Sequence, residues 1–368
     1  MKIGIIRLGS LGDIIHTLPA LSALRTKFPK NESGNGVSNQ IDWLAESAYV
    51  PFLKGHPYLD SVQEVNTKCW RRFKKGTIGP LRVFRQIREN RYDVVIDFQG
   101  LLKSAMISWS SGARRRIGFD SSHCKELLAA SFYNEKVPPF RENSHVVEWN
   151  LSLLAPLGLE GNIPIEFPIG LTALDRGKAS RFFDSHLENT AVPPIAIHPG
   201  AGWATKRWDV ENYATLGTKL GRETGAHLLV IWGPGEESLA KSLSERMGKN
   251  TDVISQTTVR EMAGFLELCG LVIGGDTGPI HLAAALGVPT IAVLGPTTPG
   301  RNGPMGPGGI RGTAVHHELP CSHCYQRVCP GFETQCLTGM SPHEVAVVAL
   351  ETWSQFRSIA FNQENLPT

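Results

Sequence analysis

The chain has 368 residues, 41% of them hydrophobic and 19% charged, with a formal net charge of +3. That balance belongs to a folded globular protein long enough for two domains, and it excludes a disordered chain. The charge is too mild to argue for nucleic acid, and no apolar run reaches the ~18–20 residues that span a bilayer. Met1–Arg7 reads as a short strand rather than a signal peptide, so cytoplasmic residence is expected. Seven cysteines in such a chain are not the framework of a secreted disulfide protein.

Lys2–Ile6 is predicted to be a buried strand. It runs into Arg7-Leu-Gly-Ser-Leu-Gly-Asp13 and then a helix from about Ile14 to Phe28, which Pro19 should bend or loosen at its first turn. The loop is glycine-rich without the spacing of a dinucleotide fingerprint or a P-loop. Gly9 and Gly12 let the backbone approach a ligand. Asp13 suits an N-cap, or a carboxylate base at the mouth of a cleft. Lys30–Gln40 is a polar loop, and Ile41–Glu46 a second strand. Cys69–Lys75 is a basic cluster with two aromatics, either a solvated face or a site for an acidic partner. A helix over Leu81–Asn90 precedes a strand over Tyr92–Phe98, and another helix starts near Leu101. Arg114–Arg116 and Lys125 form a second basic patch. This strand–helix alternation predicts a parallel, doubly wound sheet.

Prolines break the pattern between Pro138 and Pro168, and the interdomain linker is placed near Gly161–Leu171. A helix over about Asp175–Leu187 and a strand over Pro193–Pro199 open the second domain. Lys206 and Arg207 then stand just before a helix that begins near Val210, a position that suits neutralising a phosphate. Surface cations beside a turn are the alternative. The strand Ala226–Trp232 ends at Gly233-Pro-Gly-Glu-Glu237, where Glu236 suits ribose hydroxyls. A helix over Thr258–Leu268 leads to Val272–Gly287, which reads as strand, turn and helix. Gly274 and Gly275 turn the backbone, Asp276 or Thr277 caps the helix, Pro279 fits its first turn and Gly287 its end. Such an N-terminus at the carboxyl edge of a sheet is an anion site, with His281 one turn in. The strand Val288–Leu294 follows, then a turn Gly295–Pro299 with free hydroxyls, a mobile Gly/Pro-rich loop Gly300–Gly312, and a last helix over Ser341–Phe356. Cys321, Cys324, Cys329 and Cys336 fall within one short loop. They are candidates for a structural tetrathiolate zinc or iron–sulfur site, or remain unligated thiols.

Together, Arg7–Asp13 continuing Ile-Ile-His-Thr-Leu-Pro19, and Gly275-Asp-Thr-Gly-Pro-Ile-His281 far downstream, resemble glycosyltransferase family 9, the lipopolysaccharide heptosyltransferases. The branch that adds the first heptose to Kdo is nearest in pattern. The resemblance implies an α/β GT-B fold, two Rossmann-like doubly wound domains facing across a cleft. Residues 1–168 would form an acceptor-binding domain, 169–340 a nucleotide-sugar domain, and 341–368 a helix packing back toward the first. It implies inverting, metal-independent transfer of heptose from ADP-heptose to the Kdo of lipid A. The implied base is Asp13. The implied donor contacts are Ser10, Gly12, Thr205, Lys206, Glu236, Asp276, Thr277, Gly278 and His281. The implied acceptor residues are Arg71, Arg72, Lys75 and Lys125. No cofactor and no nucleic-acid partner is implied; a monomer, peripheral at the cytoplasmic face of the inner membrane, is expected. The competing readings are a family 9 transferase that adds the second heptose or uses another acceptor, a GT-B-like nucleotide-sugar epimerase, and a non-catalytic binder. The four-cysteine loop and the loop Lys30–Gln40 depart from the pattern of the nearest branch.

Overall fold

A computed structural model describes residues 1–30, 38–67, 79–138, 141, 144–186, 192–331 and 333–364. The chain divides into two compact units, Met1–Gly170 and Leu171–Thr368. The first holds six strands, β1 (Lys2–Ile6), β2 (Gln40–Ala45), β3 (Ser61–Glu64), β4 (Val94–Asp97), β5 (Arg115–Phe119) and β6 (Glu135–Val137). They lie in the order β3-β2-β1-β4-β5-β6, every neighbouring pair parallel. The second unit repeats the plan with β7 (Ile195–His198), β8 (Leu228–Val230), β9 (Thr251–Val253), β10 (Leu271–Gly275), β11 (Thr290–Leu294) and β12 (Thr313–His316). Its order is β12-β11-β10-β7-β8-β9, again all parallel. Counted from each unit's own first strand, both sheets have the 3-2-1-4-5-6 order of a Rossmann sheet. In both, the order reverses between the first and fourth strands, β1 and β4 in one and β7 and β10 in the other. Ligands of such sheets bind at the carboxyl ends of the strands at that reversal.

The central strands are continuous apolar runs because helices cover both faces. Ile3, Ile5 and Ile6 of β1, Ile195 and Ile197 of β7, and Leu271 and Ile273 of β10 are fully buried. Val345, Ala346, Ala349 and Trp353 of the last helix, Pro342–Glu364, join the core of the second unit.

Several elements differ from the sequence expectation. The first long helix is two, Leu11–Ile15 and Leu18–Lys27, and Pro19 sits in the first turn of the second, where its missing N–H costs nothing. Five strands, β3, β5, β6, β9 and β12, were not expected. The basic run Arg114–Arg116 is largely strand: Arg115 forms a fork with Glu135 of β6 at 2.7 Å and 2.7 Å, and Arg116 donates to the carbonyls of Phe132 and Ala113. The stretch Gly300–Gly312, expected to be a mobile loop, folds on itself through Gly306 N–H to Ile310 O and Gly312 N–H to Pro304 O.

Candidate functional site

The reversal point of the first unit gathers Arg7, Asp13 and Lys125. Ser10 caps the short helix Leu11–Ile15, and its N–H and hydroxyl both donate to Asp13 Oδ2, each at 3.0 Å. Asp13 is therefore the third helical residue rather than the N-cap. The other carboxylate oxygen is held by Arg7, whose guanidinium also donates to the Phe98 carbonyl at the end of β4. The Arg7 side chain is 3% exposed and that of Asp13 29% exposed. Burial alone would raise the Asp13 carboxyl; Arg7, Lys125 and the Ser10 hydrogen bonds override it and hold it well below the usual carboxylate range. The result is a half-open carboxylate, ionised at any physiological pH and locked in orientation. Gly9 lies at φ 156° in the preceding turn, and a Cβ there would overlap the Tyr49 ring. Gly12 is buried within the short helix. The segment bearing Lys125 docks on the end of β4 through Glu126 N–H to Gly100 O, 3.2 Å. Arg71, Arg72 and Lys75, and the whole cluster Cys69–Lys75, lie outside the described residues, as does most of the loop Lys30–Gln40.

The reversal point of the second unit is built by the loops after β7 and β10. Thr277 caps the helix Gly278–Ala285, Pro279 occupies its first turn, and Gly287 follows its end in a left-handed conformation. Gly278 and Ile280 in that first turn have amides with no helical acceptor. Asp276 does not cap. Its Oδ2 accepts from Lys206 Nζ at 2.6 Å and its Oδ1 is 2.9 Å from His281 Nε2. The Lys206 and Asp276 side chains are 15% and 6% exposed. Burial would raise the Asp276 carboxyl, but His281 and Lys206 hold it well below its ordinary range. An anion arriving at the helix N-terminus thus meets a carboxylate whose two oxygens already have partners.

Glu236 precedes the helix Glu237–Met247 and folds back to the end of β7. Its Oε2 accepts from Gly233 N–H at 2.9 Å and lies 3.9 Å from His198 Nε2. Gly200 makes the room, since a Cβ there would overlap the carboxylate. Burial pushes the His198 imidazole below its ordinary value, so it stays neutral beside Glu236. Arg207 turns to the Ala201 carbonyl at 3.1 Å and acts as a turn brace. Thr205 is buried and donates to Gln326 O at 2.7 Å. Of the hydroxyls after β11, Thr298 pairs with Tyr325, whereas Thr297 is 1% exposed and its oxygen has no partner among the described residues.

The four cysteines Cys321, Cys324, Cys329 and Cys336 line one cavity of about 550 Å³ together with Thr205. Burial raises the Cys336 thiol, and the other three thiols push it further. Thiolates suit zinc or iron in type, but among the described residues no group of three or more His, Cys, Asp or Glu is arranged to hold a metal ion. No described helix is long and apolar enough to cross a membrane.

The inward-turned Arg7 was missed from sequence. Arg7 stood in the quoted motif, but nothing local says that a charged side chain there turns inward.

Residues 80–333 match the model of glycosyltransferase family 9 (heptosyltransferase). Lipopolysaccharide heptosyltransferase 1 of Pseudomonas aeruginosa is 30% identical, over 94% of this chain and 96% of its own length. The E. coli heptosyltransferase WaaC solved with ADP is 26% identical with a TM-score of 0.70, covering 96% of this chain and all of that one. A family 9 glycosyl transferase from Veillonella parvula shares the fold at a TM-score of 0.78 and 21% identity, over 96% of this chain and 97% of its own. The fold is GT-B, with two Rossmann-like units. The chain is a glycosyltransferase and belongs to family 9, the heptosyltransferases.

Proposed function

We propose that this chain transfers L-glycero-D-manno-heptose from ADP-heptose to the Kdo of the lipopolysaccharide inner core, with inversion at the sugar carbon. The observation that carries the reading is the Lys206–Asp276–His281 cluster at the N-terminus of Gly278–Ala285. It offers an anionic donor one cation, free amides and the positive end of a helix dipole. The similarity to heptosyltransferase 1 and to a relative solved with ADP supports the choice of donor. Glu236 takes the ribose hydroxyls, its Oε1 having no partner among the described residues.

Asp13 is the base. The acceptor hydroxyl forms a bond to the anomeric carbon as the bond to the diphosphate breaks, ADP leaves, and the hydroxyl proton goes to Asp13. A carboxylate held this far down is a weak base, so proton transfer runs late, once bond formation has made the hydroxyl acidic. Lys206 and the helix end stabilise the departing charge, so no divalent ion takes part in transfer. Lys125 and the cluster around Arg71, Arg72 and Lys75 attract the anionic acceptor and the surface of the inner membrane, where the protein works as a peripheral cytoplasmic monomer.

The test is turnover of ADP-heptose with and without Kdo₂-lipid A, with product mass, before and after exhaustive chelation. Heptose on Kdo at an unchanged rate after chelation is expected. Transfer only to an already heptosylated core would replace the acceptor. Free nucleotide formed without acceptor would point to an epimerase-like reaction, and a rate restored by added Mg²⁺ would remove metal independence.

A further inference from the structure

The loop that carries the four cysteines is fastened to the donor side of the second unit. Tyr325 N–H donates to the Pro296 carbonyl at 3.0 Å, after β11. The Tyr325 hydroxyl donates to Asn302 Oδ1 at 2.7 Å and lies 3.1 Å from Thr298 Oγ1. Thr205, after β7, donates to the next carbonyl, Gln326 O, at 2.7 Å. Strand β10 lies between β11 and β7 in the sheet. The segment Tyr325–Arg327 is therefore tied to the loops on either side of the strand that leads into Asp276.

Those ties set the position of the next side chain. The Arg327 guanidinium lies 4.9 Å from the centroid of the Trp203 ring, and Lys206 Nζ lies 4.3 Å from the same centroid. Measured through the centroid, the two cationic groups are separated by no more than those distances laid end to end. Lys206 has Asp276 as its counter-charge, whereas Arg327 is exposed and has no ion pair among the described residues. A ring face steadies a guanidinium without neutralising it. Two cations on one ring, of which only Lys206 has a carboxylate partner among the described residues, leave an excess of positive charge beside the helix N-terminus. A guanidinium fork matches two oxygens of a phosphate group.

We infer that Arg327 is a second diphosphate-binding residue of the donor site, carried there by the cysteine loop. It completes with Lys206 a pair of cations for the leaving group. The inference rests on the reading of Lys206 and Gly278–Ala285 as the place of the donor diphosphate.

Calorimetric titration of the whole protein with ADP, AMP and adenosine tests it, using wild type, Arg327→Gln and Arg327→Lys. Loss of a charge-assisted contact predicts ADP binding weaker by about tenfold in Arg327→Gln. The loss should be smaller for AMP and absent for adenosine, with partial recovery in Arg327→Lys. Donor KM should rise in step while acceptor KM holds. Unchanged ADP binding would overturn the inference. So would an equal loss for ADP and adenosine, which would mean that Arg327 only shapes the loop. A wild type that binds none of the three would instead remove the donor-site reading on which the inference stands.

Discussion

Replacing Asp13 by Asn keeps the shape of the side chain and removes both its charge and its capacity to take a proton. Loss of a general base costs about 10²–10⁴ in rate, on the order of 3–5 kcal/mol of barrier. Folding is touched too, because Arg7 is nearly fully buried and loses its only carboxylate among the described residues. A hydrogen bond to a charged group contributes about 1.5–3 kcal/mol, and the partial exposure of Asp13 argues for the lower half of that range. For a unit of this size that corresponds to a melting point lower by roughly 3–8 °C. The folded-state pKa of Asp13 lies below its unfolded value of about 3.9. Its stabilisation is therefore fully present above pH ~4 and is lost only as the pH falls through the folded value. The gap in melting point between wild type and Asp13→Asn should be constant from pH 5 to 9 and close only in acid. The pH profile of turnover should likewise carry no acidic limb from Asp13 in that window. Single-turnover formation of ADP with saturating donor and acceptor reads the chemistry, and calorimetry with ADP reads binding, expected to change less than about threefold because Lys206 and the helix end are untouched. Turnover within about threefold of wild type would remove Asp13 from the mechanism, whatever happened to stability.

Two further changes probe the second unit. Gly200→Ala sets a Cβ into the Glu236 carboxylate and must push it off the Gly233 amide. Overpacking of this kind costs about 1–3 kcal/mol, and affinity for adenosine as well as ADP should fall; unchanged adenosine binding would separate Glu236 from the ribose. Asp276→Asn leaves Lys206 and His281 without their shared carboxylate. Removing one partner of a largely buried pair costs about 3 kcal/mol or more, read as a lower melting point that added ADP partly restores by giving Lys206 a new counter-charge. A melting point unmoved in the absence of ADP would show that the pair contributes nothing to folding.

The interior of both sheets was legible because burial on two faces leaves mostly apolar residues in a strand, as in β1, β4, β7, β10 and β11. The edge strands carry no such mark. Ser61–Glu64 and Thr313–His316 are four residues each and only partly buried, and Arg115–Phe119, one strand in from the edge, hides its strand character behind two arginines, of which Arg115 pairs with Glu135 of β6. The turn chemistry around Thr277, Pro279 and Gly287 was legible for a similar local reason: each residue type answers a need of its own backbone position. Contacts between distant segments were not. Arg7 finds Phe98 across 91 positions, Glu236 fits against Gly200 from another loop, and Gln326 meets Thr205 across 121.

The two reversal points use one device, a carboxylate neutralised by a cation, to opposite ends. In the first unit the cation is a guanidinium fixed by the Phe98 carbonyl and almost sealed from water. It has no freedom to leave Asp13, and the amide and hydroxyl of Ser10 fix the remaining oxygen. What results is a carboxylate with both oxygens held and its charge fixed by its neighbours. In the second unit the cation is an ammonium on a flexible stem, resting on Trp203 and more exposed than its carboxylate partner. His281 keeps the other oxygen of Asp276 occupied, so Lys206 can turn toward an incoming anion without stranding a bare carboxylate. Exchanging the two cation types would test this division of labour. A lysine at Arg7 should loosen Asp13 and slow turnover more than donor binding, whereas an arginine at Lys206 should keep the charge yet bind the diphosphate poorly, because a planar fork seated on Asp276 has no comparable freedom to swing.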